Sequence, residues 1–194
     1  MLVRELIAKV RDKLQDTDST YWSDSEFIDL YNECKRYISA ERKENPTTIQ
    51  VITNSNNYVY KVDNVLRYIS AKDNKGYARE LYPDDTTGDE VSSAIIVQSY
   101  DTIYVNNPIE NEVINLKVIS FPSEDNLNDA IRMGDEEAYT YFILSKAYEK
   151  DTDMEQFQKA QYFWSMFEGA LKSVKKNSSL NFMNDLKLTK SYFY

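Results

Sequence analysis

The sequence predicts an α+β fold. A helical bundle body comes from both ends of the chain: two N-terminal helices and a C-terminal helix hairpin. An antiparallel β-rich insertion lies between them, and an extended C-terminal arm follows. Three observations predict this. Apolar residues recur every three or four positions near each end of the chain. In the middle, short runs alternate apolar and polar residues between turn-forming clusters. After residue 176 the helical period is lost. The expected organisation is a body formed by residues 1–45 and 124–176, an insertion over 46–123, and an arm over 177–194.

The first helix is expected over residues 2–14, where Val3, Ile7, Val10 and Leu14 form a stripe that Leu2 and Leu6 widen. The run Asp16-Thr17-Asp18-Ser19-Thr20 ends it, because these side chains compete for backbone hydrogen bonds. The second helix has a complete start. Ser23 is a natural N-cap, Glu26 three residues on completes a capping box, and Trp22 can staple onto Phe27. Phe27, Leu30, Tyr31, Cys34 and Ile38 supply its buried face, and it must stop before Pro46.

From Thr47 the period changes to two. Ile49 and Val51 alternate with polar neighbours, Asn54 to Asn57 turn the chain, and Tyr58, Tyr60 and Val62 alternate again, which predicts a hairpin. Further strands are expected over residues 65–70, 94–98, 102–105 and 113–121. A turn falls at Asp73-Asn74-Lys75-Gly76, and residues 83–90 form an acidic loop. The 94–98 and 102–105 strands make a second hairpin around Ser99-Tyr100-Asp101. Short, closely spaced strands of this kind predict a compact antiparallel sheet, sandwich or barrel.

Pro122 closes the insertion. A short helix is expected over residues 125–133, then a longer one opened by Asp135-Glu136-Glu137, acids that suit the positive end of the helix dipole. Ala138, Phe142, Ser145 and Tyr148 share its inner face, with Tyr141 and Leu144 beside them. Thr152 and Glu155 form a second capping box, and Phe157, Ala160, Trp164, Phe167, Leu171 and Val174 continue the last helix. The two pair as an antiparallel hairpin.

Composition removes whole classes of chemistry. Among 194 residues there is no histidine and one cysteine. Histidine triads, histidine bases and histidine–zinc sites are therefore excluded, as are an internal disulfide and a CxxC motif. Four glycines and four prolines lie well below the usual shares of roughly 7% and 5%. Neither glycine-rich nucleotide cradle is present. The first fourteen residues are interrupted by charges and do not read as a signal peptide, and no run approaches the ~18 apolar residues of a membrane span. No cofactor, metal or catalytic group is expected. Cys34 reads as a core residue, since no base is available to it.

The net charge of −9 is uneven. From residue 171 five lysines face one aspartate, +4, which leaves −13 on the rest. An acidic body repels nucleic acid and anionic membranes. The acidic run from Asp84 to Glu90 is the best metal candidate, but it fails the EF-hand template. Counted from Asp84, glycine falls fifth rather than sixth, and Ile95 stands where the twelfth-position glutamate belongs. A carboxylate-based hydrolase and a carbohydrate- or peptide-binding module on the β region are the alternatives to a contact protein. The arm carries the partner-binding candidates. Phe182, Leu186, Leu188, Tyr192, Phe193 and Tyr194 are interleaved with Lys187 and Lys190, a mix unlike ordinary disordered tails. It suits docking on another subunit.

Leu14-Gln15-Asp16, then Tyr21-Trp22-Ser23-Asp24-Ser25-Glu26-Phe27-Ile28, then Tyr31-Asn32-Glu33 resemble the opening of head-to-tail connector (adaptor) proteins of tailed bacteriophages. The order of parts is similar too: two helices, a β-rich middle, a Phe121-Pro122 exit and an aromatic helix hairpin. The resemblance implies a non-enzymatic virion protein of the neck, assembled in the host cytoplasm. It implies a ring, typically a dodecamer, between the portal protein and a tail, nozzle or stopper protein. Such a ring extends the DNA channel for genome ejection, and DNA passes through without specific binding. It also implies that the C-terminal arm reaches the portal.

Overall fold

The computed structural model describes residues 1–19, 21–83, 94–99, 101–150 and 154–190, with side chains up to residue 173 except at position 83. It is α+β. Among the described residues, four helices, α1 (Val3–Leu14), α2 (Asp24–Arg42), α3 (Glu136–Glu149) and α4 (Met154–Lys190), flank in sequence a run of eight strands. The strands are β1 (Pro46–Ile52), β2 (Val59–Lys61), β3 (Val65–Lys72), β4 (Ala78–Arg79), β5 (Leu81–Pro83), β6 (Ile95–Ser99), β7 (Thr102–Val105) and β8 (Val113–Ser120). The chain divides into two compact units, Met1–Arg42 with Pro122–Tyr194, and Lys43–Phe121.

The helical unit is built around α3. Ala138, Tyr139, Phe142, Ile143, Leu144, Ser145 and Ala147 are all buried, so this helix has no solvent face of any width. A helix apolar on every side belongs inside a bundle. Its core partners are Val3, Leu6, Ile7 and Val10 of α1, Phe27, Tyr31, Cys34 and Ile38 of α2, and Phe167 of α4. The sequence stripe identified only part of this: Tyr139 and Ile143 lie outside it, and both are buried.

Residues 125–133 are not helical. Local side chains take the backbone instead. The Asn126 amide donates to Asp129 Oδ2 at 2.7 Å and the Asn128 amide to Asn126 Oδ1 at 3.0 Å. The segment then serves α1. The amides of Val3 and Arg4, two donors that a helix start leaves unsatisfied, bond the carbonyls of Asp129 and Leu127 at 3.0 Å.

The β unit holds two four-stranded sheets, ordered β1-β8-β3-β4 and β2-β7-β6-β5. β6 and β7 form the expected hairpin, with Tyr100 outside the described residues. β1 and β2 do not pair. β1 lies antiparallel to β8, Val51 facing Ile114, while β2 lies against β7. The tight turn at Asn54–Asn57 passes the chain from one sheet to the other, and β8 offers β1 a row of buried partners that β2 cannot. β5 and β6 are parallel, so the unit is mixed rather than purely antiparallel. Ile114, Leu116 and Val118 of β8 pack with Ile95, Ile103 and Val105 in one core. In the predicted turn, the Asp73 carboxylate accepts the amides of Lys75 and Tyr77 at 2.9 and 2.8 Å, and Gly76 adopts φ +85°. Only glycine takes that conformation without strain.

Candidate functional site

The residues that carried the resemblance form one connected piece of structure around the start of α2. Gln15 ends α1 in the left-handed conformation, φ 58°. Asp16 then gathers the loop: its carboxylate accepts the amides of Tyr21 and Trp22 at 3.0 and 3.2 Å and pairs with Arg11 at 3.0 Å. Arg11 also reaches Asp24 at 2.7 Å and lies 4.8 Å over the Phe27 ring. The capping box is complete, with the Glu26 amide donating to Ser23 Oγ at 3.2 Å and the Ser23 amide to Glu26 Oε2 at 2.9 Å. Trp22 stacks on Phe27 at 5.5 Å. Glu26 also holds Lys150 at 2.7 Å, and the Lys150 ammonium lies 4.2 Å over Trp22. Those bonds from Lys150 and Ser23 hold the Glu26 carboxyl at about 2 instead of 4.5.

One turn along α2, Tyr31 and Asn32 grip the chain where it returns from the insertion. The Asn32 side chain exchanges two bonds with the Asp125 backbone at 3.0 and 2.9 Å, and Tyr31 Oη donates to Asp125 Oδ2 at 3.2 Å. Lys35 pairs with the same carboxylate at 2.6 Å. Tyr31 stacks on Tyr139 at 4.3 Å, and burial raises the pKa of both phenols. Burial likewise pushes the Cys34 thiol up, away from nucleophilic chemistry.

An open cavity of about 460 Å³ lies beside this cluster, lined by Asp16, Tyr21, Trp22, Tyr148, Lys150 and Gln156. Its charged groups are already engaged: Asp16 with Arg11, Lys150 with Glu26. Among the described residues no group of three or more acidic or cysteine side chains is arranged to hold a metal ion. The acidic run from Asp84 to Glu90 lies outside the described residues, as does Thr152 of the second capping box. Asp135 does more than suit the helix dipole. It is buried and makes a forked pair with Arg42, the last residue of α2. That pair spans 93 residues of sequence, and no local pattern points to it.

α4 carries five of the eight predicted partner-binding residues. Its first part packs on α3: Ser145 Oγ donates to the Ala160 carbonyl at 3.0 Å, Phe167 meets Phe142 at 5.1 Å, and Phe163 stacks on Tyr148 at 5.7 Å. Phe157, Tyr162 and Met166 are left exposed on the same helix. Its 37 residues span about 55 Å at the usual rise. The helix runs further than the apolar period indicated, through residues 177–190. The chain has no proline or glycine after Gly169, and Asn177-Ser178-Ser179 only lowers helix propensity. Phe182, Leu186, Lys187, Leu188 and Lys190 therefore lie on the last turns of α4, and Tyr192, Phe193 and Tyr194 fall outside the described residues. Among the described residues no helix is long and apolar enough to cross a membrane.

Comparison with known proteins adds one finding. A family model described as SU10 adaptor protein matches residues 1–187. No curated protein matches the chain.

Proposed function

The chain belongs to the SU10 adaptor protein family, a family of phage head-to-tail adaptors, and so is a structural component of a phage virion; from that premise we propose that it forms a ring between portal and tail. The ring, a dodecamer in this reading, extends the DNA channel at the neck. Its neighbours are the portal protein on one side and a tail, nozzle or stopper protein on the other. DNA passes through without specific contacts, as expected for an acidic lining that repels phosphate. The protein acts by assembly and not by catalysis.

The observation that carries this reading is the near full-length family match, which takes in both the helical body and the β insertion. The engaged state of the polar clusters supports it: Asp16, Glu26, Asp125 and Asp135 each hold structure together. The arm is proposed to bind the portal through Phe182, Leu186, Lys187, Leu188, Lys190, Tyr192, Phe193 and Tyr194. Its lysines suit an acidic surface and its aromatics suit buried pockets. Truncation after residue 176 tests this. The truncated chain is expected to keep the unfolding midpoint of the full chain and lose binding to isolated portal. Full-strength portal binding by the truncated chain would overturn the arm's role.

A further inference from the structure

Among the described residues the two sheets have four edge strands, and three of them are guarded against pairing with another chain. β2 has three residues and ends in Lys61, β4 has two and includes Arg79, and β5 has three and ends in Pro83. Short length, charge and proline are the usual devices that blunt an edge. β1 has none of them past Pro46. It is seven residues long, Pro-Thr-Thr-Ile-Gln-Val-Ile, with no charge. Its register with β8 runs without a shift, whereas β3–β8 and β6–β7 are both irregular.

The open hydrogen-bonding groups can be assigned. The Thr53 amide donates to the Glu112 carbonyl at 2.8 Å, which continues the register in which Ile52 faces Val113. Bonded and non-bonded pairs alternate along an antiparallel ladder. Val51, Ile49 and Thr47 therefore direct their backbone groups to β8, and Thr48, Gln50 and Ile52 direct theirs to the free edge. Among the described residues these three make no backbone bond beyond the ladder. The side chains add a preference. Val51 is buried and Ile49 packs on the sheet core, so the rim of that core ends at β1. Ile52, on the opposite face, is 65% exposed.

We propose that the free edge of β1 accepts an extended, uncharged segment of a different polypeptide as a further strand of the sheet. The segment would bring β-branched residues beside Ile49 and Val51, and small polar residues beside Thr48 and Gln50. The choice of a different polypeptide rests on the adaptor reading above. Pairing β1 with β1 of a second copy needs a two-fold axis, which copies related by ring rotation lack. The edge is then left for a strand of a neck or tail component.

The test uses the full chain and a synthetic peptide with a central Thr-Val-Thr-Val-Thr run and lysines at both ends. Amide hydrogen exchange is followed by NMR. The amides of Thr48, Gln50 and Ile52 are expected to exchange freely in the protein alone and to slow by about tenfold or more with peptide, while those of Ile49 and Val51 stay as they were. Gln50→Pro removes one outward donor and leaves the backbone ladder to β8 in place, losing only the exposed side-chain bond from Gln50 to Asn115, and should abolish the effect with little change in the unfolding midpoint. Gln50→Lys is the second variant, should proline disturb folding, and should also abolish it. Strand addition is overturned if the peptide slows none of the three amides, or slows Thr48 and Ile52 equally in the variants. It is equally overturned if a β1–β1 dimer already protects them without peptide. A protein that binds the peptide but not the portal would remove the proposed assembly on the portal and leave the strand-accepting edge standing. The reverse pattern would do the opposite.

Discussion

Asp16 organises more structure than any other single residue near the start of α2. Its two oxygens meet Arg11, the Tyr21 amide and the Trp22 amide, and both its own side chain and that of Arg11 are nearly inaccessible. Asp16→Ala leaves a buried guanidinium with Asp24 as its remaining carboxylate. The expected loss is roughly 2–3 kcal/mol in urea unfolding, below the range for breaking a fully buried pair because Asp24 stays. Glu26 sets a pH dependence. Its folded pKa of about 2 lies below its ordinary 4.5, so its contribution is complete above about 4.5 and fades as pH falls toward 2. Glu26→Gln should flatten that part of the acid limb of the urea midpoint, and an acid limb identical to the parent would contradict the assignment. At this scale the sequence was legible where a recognised spacing names the partners, and not for Arg11–Asp16, which are close but follow no such spacing. The S-x-x-E spacing located the Ser23–Glu26 box and the Trp22–Phe27 staple. Arg42–Asp135 and Asn32–Asp125 were not legible, because each joins residues 93 apart that only the folded chain brings together.

At the scale of elements, α3 is the structural centre of the helical unit. Phe142 touches Tyr37, Trp164 and Phe167 in ring contacts of 5.5, 6.1 and 5.1 Å and is wholly buried. Phe142→Ala should cost about 3–5 kcal/mol, measured by denaturant unfolding. A cost near 1 kcal/mol would mean that α3 is not the centre of that core. The four helices were legible from apolar spacing and caps, and β6–β7 from its alternation around a turn. Besides the short β4 and β5, which no alternation announced, three elements departed from the sequence pattern for local physical reasons. Residues 125–133 bond their own side chains and the start of α1. β1 pairs with β8 because strand pairing is decided by which buried face is on offer, and alternation alone does not name the partner. α4 continues past residue 176 because nothing in the sequence stops it, although the apolar period has ended.

For the whole molecule, two compact units each carry their own apolar core, one helical and one of sheets. Among the described residues the carboxylates of Asp16, Glu26, Asp125 and Asp135 are all engaged in holding the helical unit together. The family match gives that arrangement its biological setting. Assembly on the portal can be seen by electron microscopy of the full-length protein mixed with isolated portal. A ring of this protein seated coaxially on the portal is expected, with density for the last turns of α4 against the portal surface. A full-length, folded protein that remains unbound in the presence of portal would contradict it.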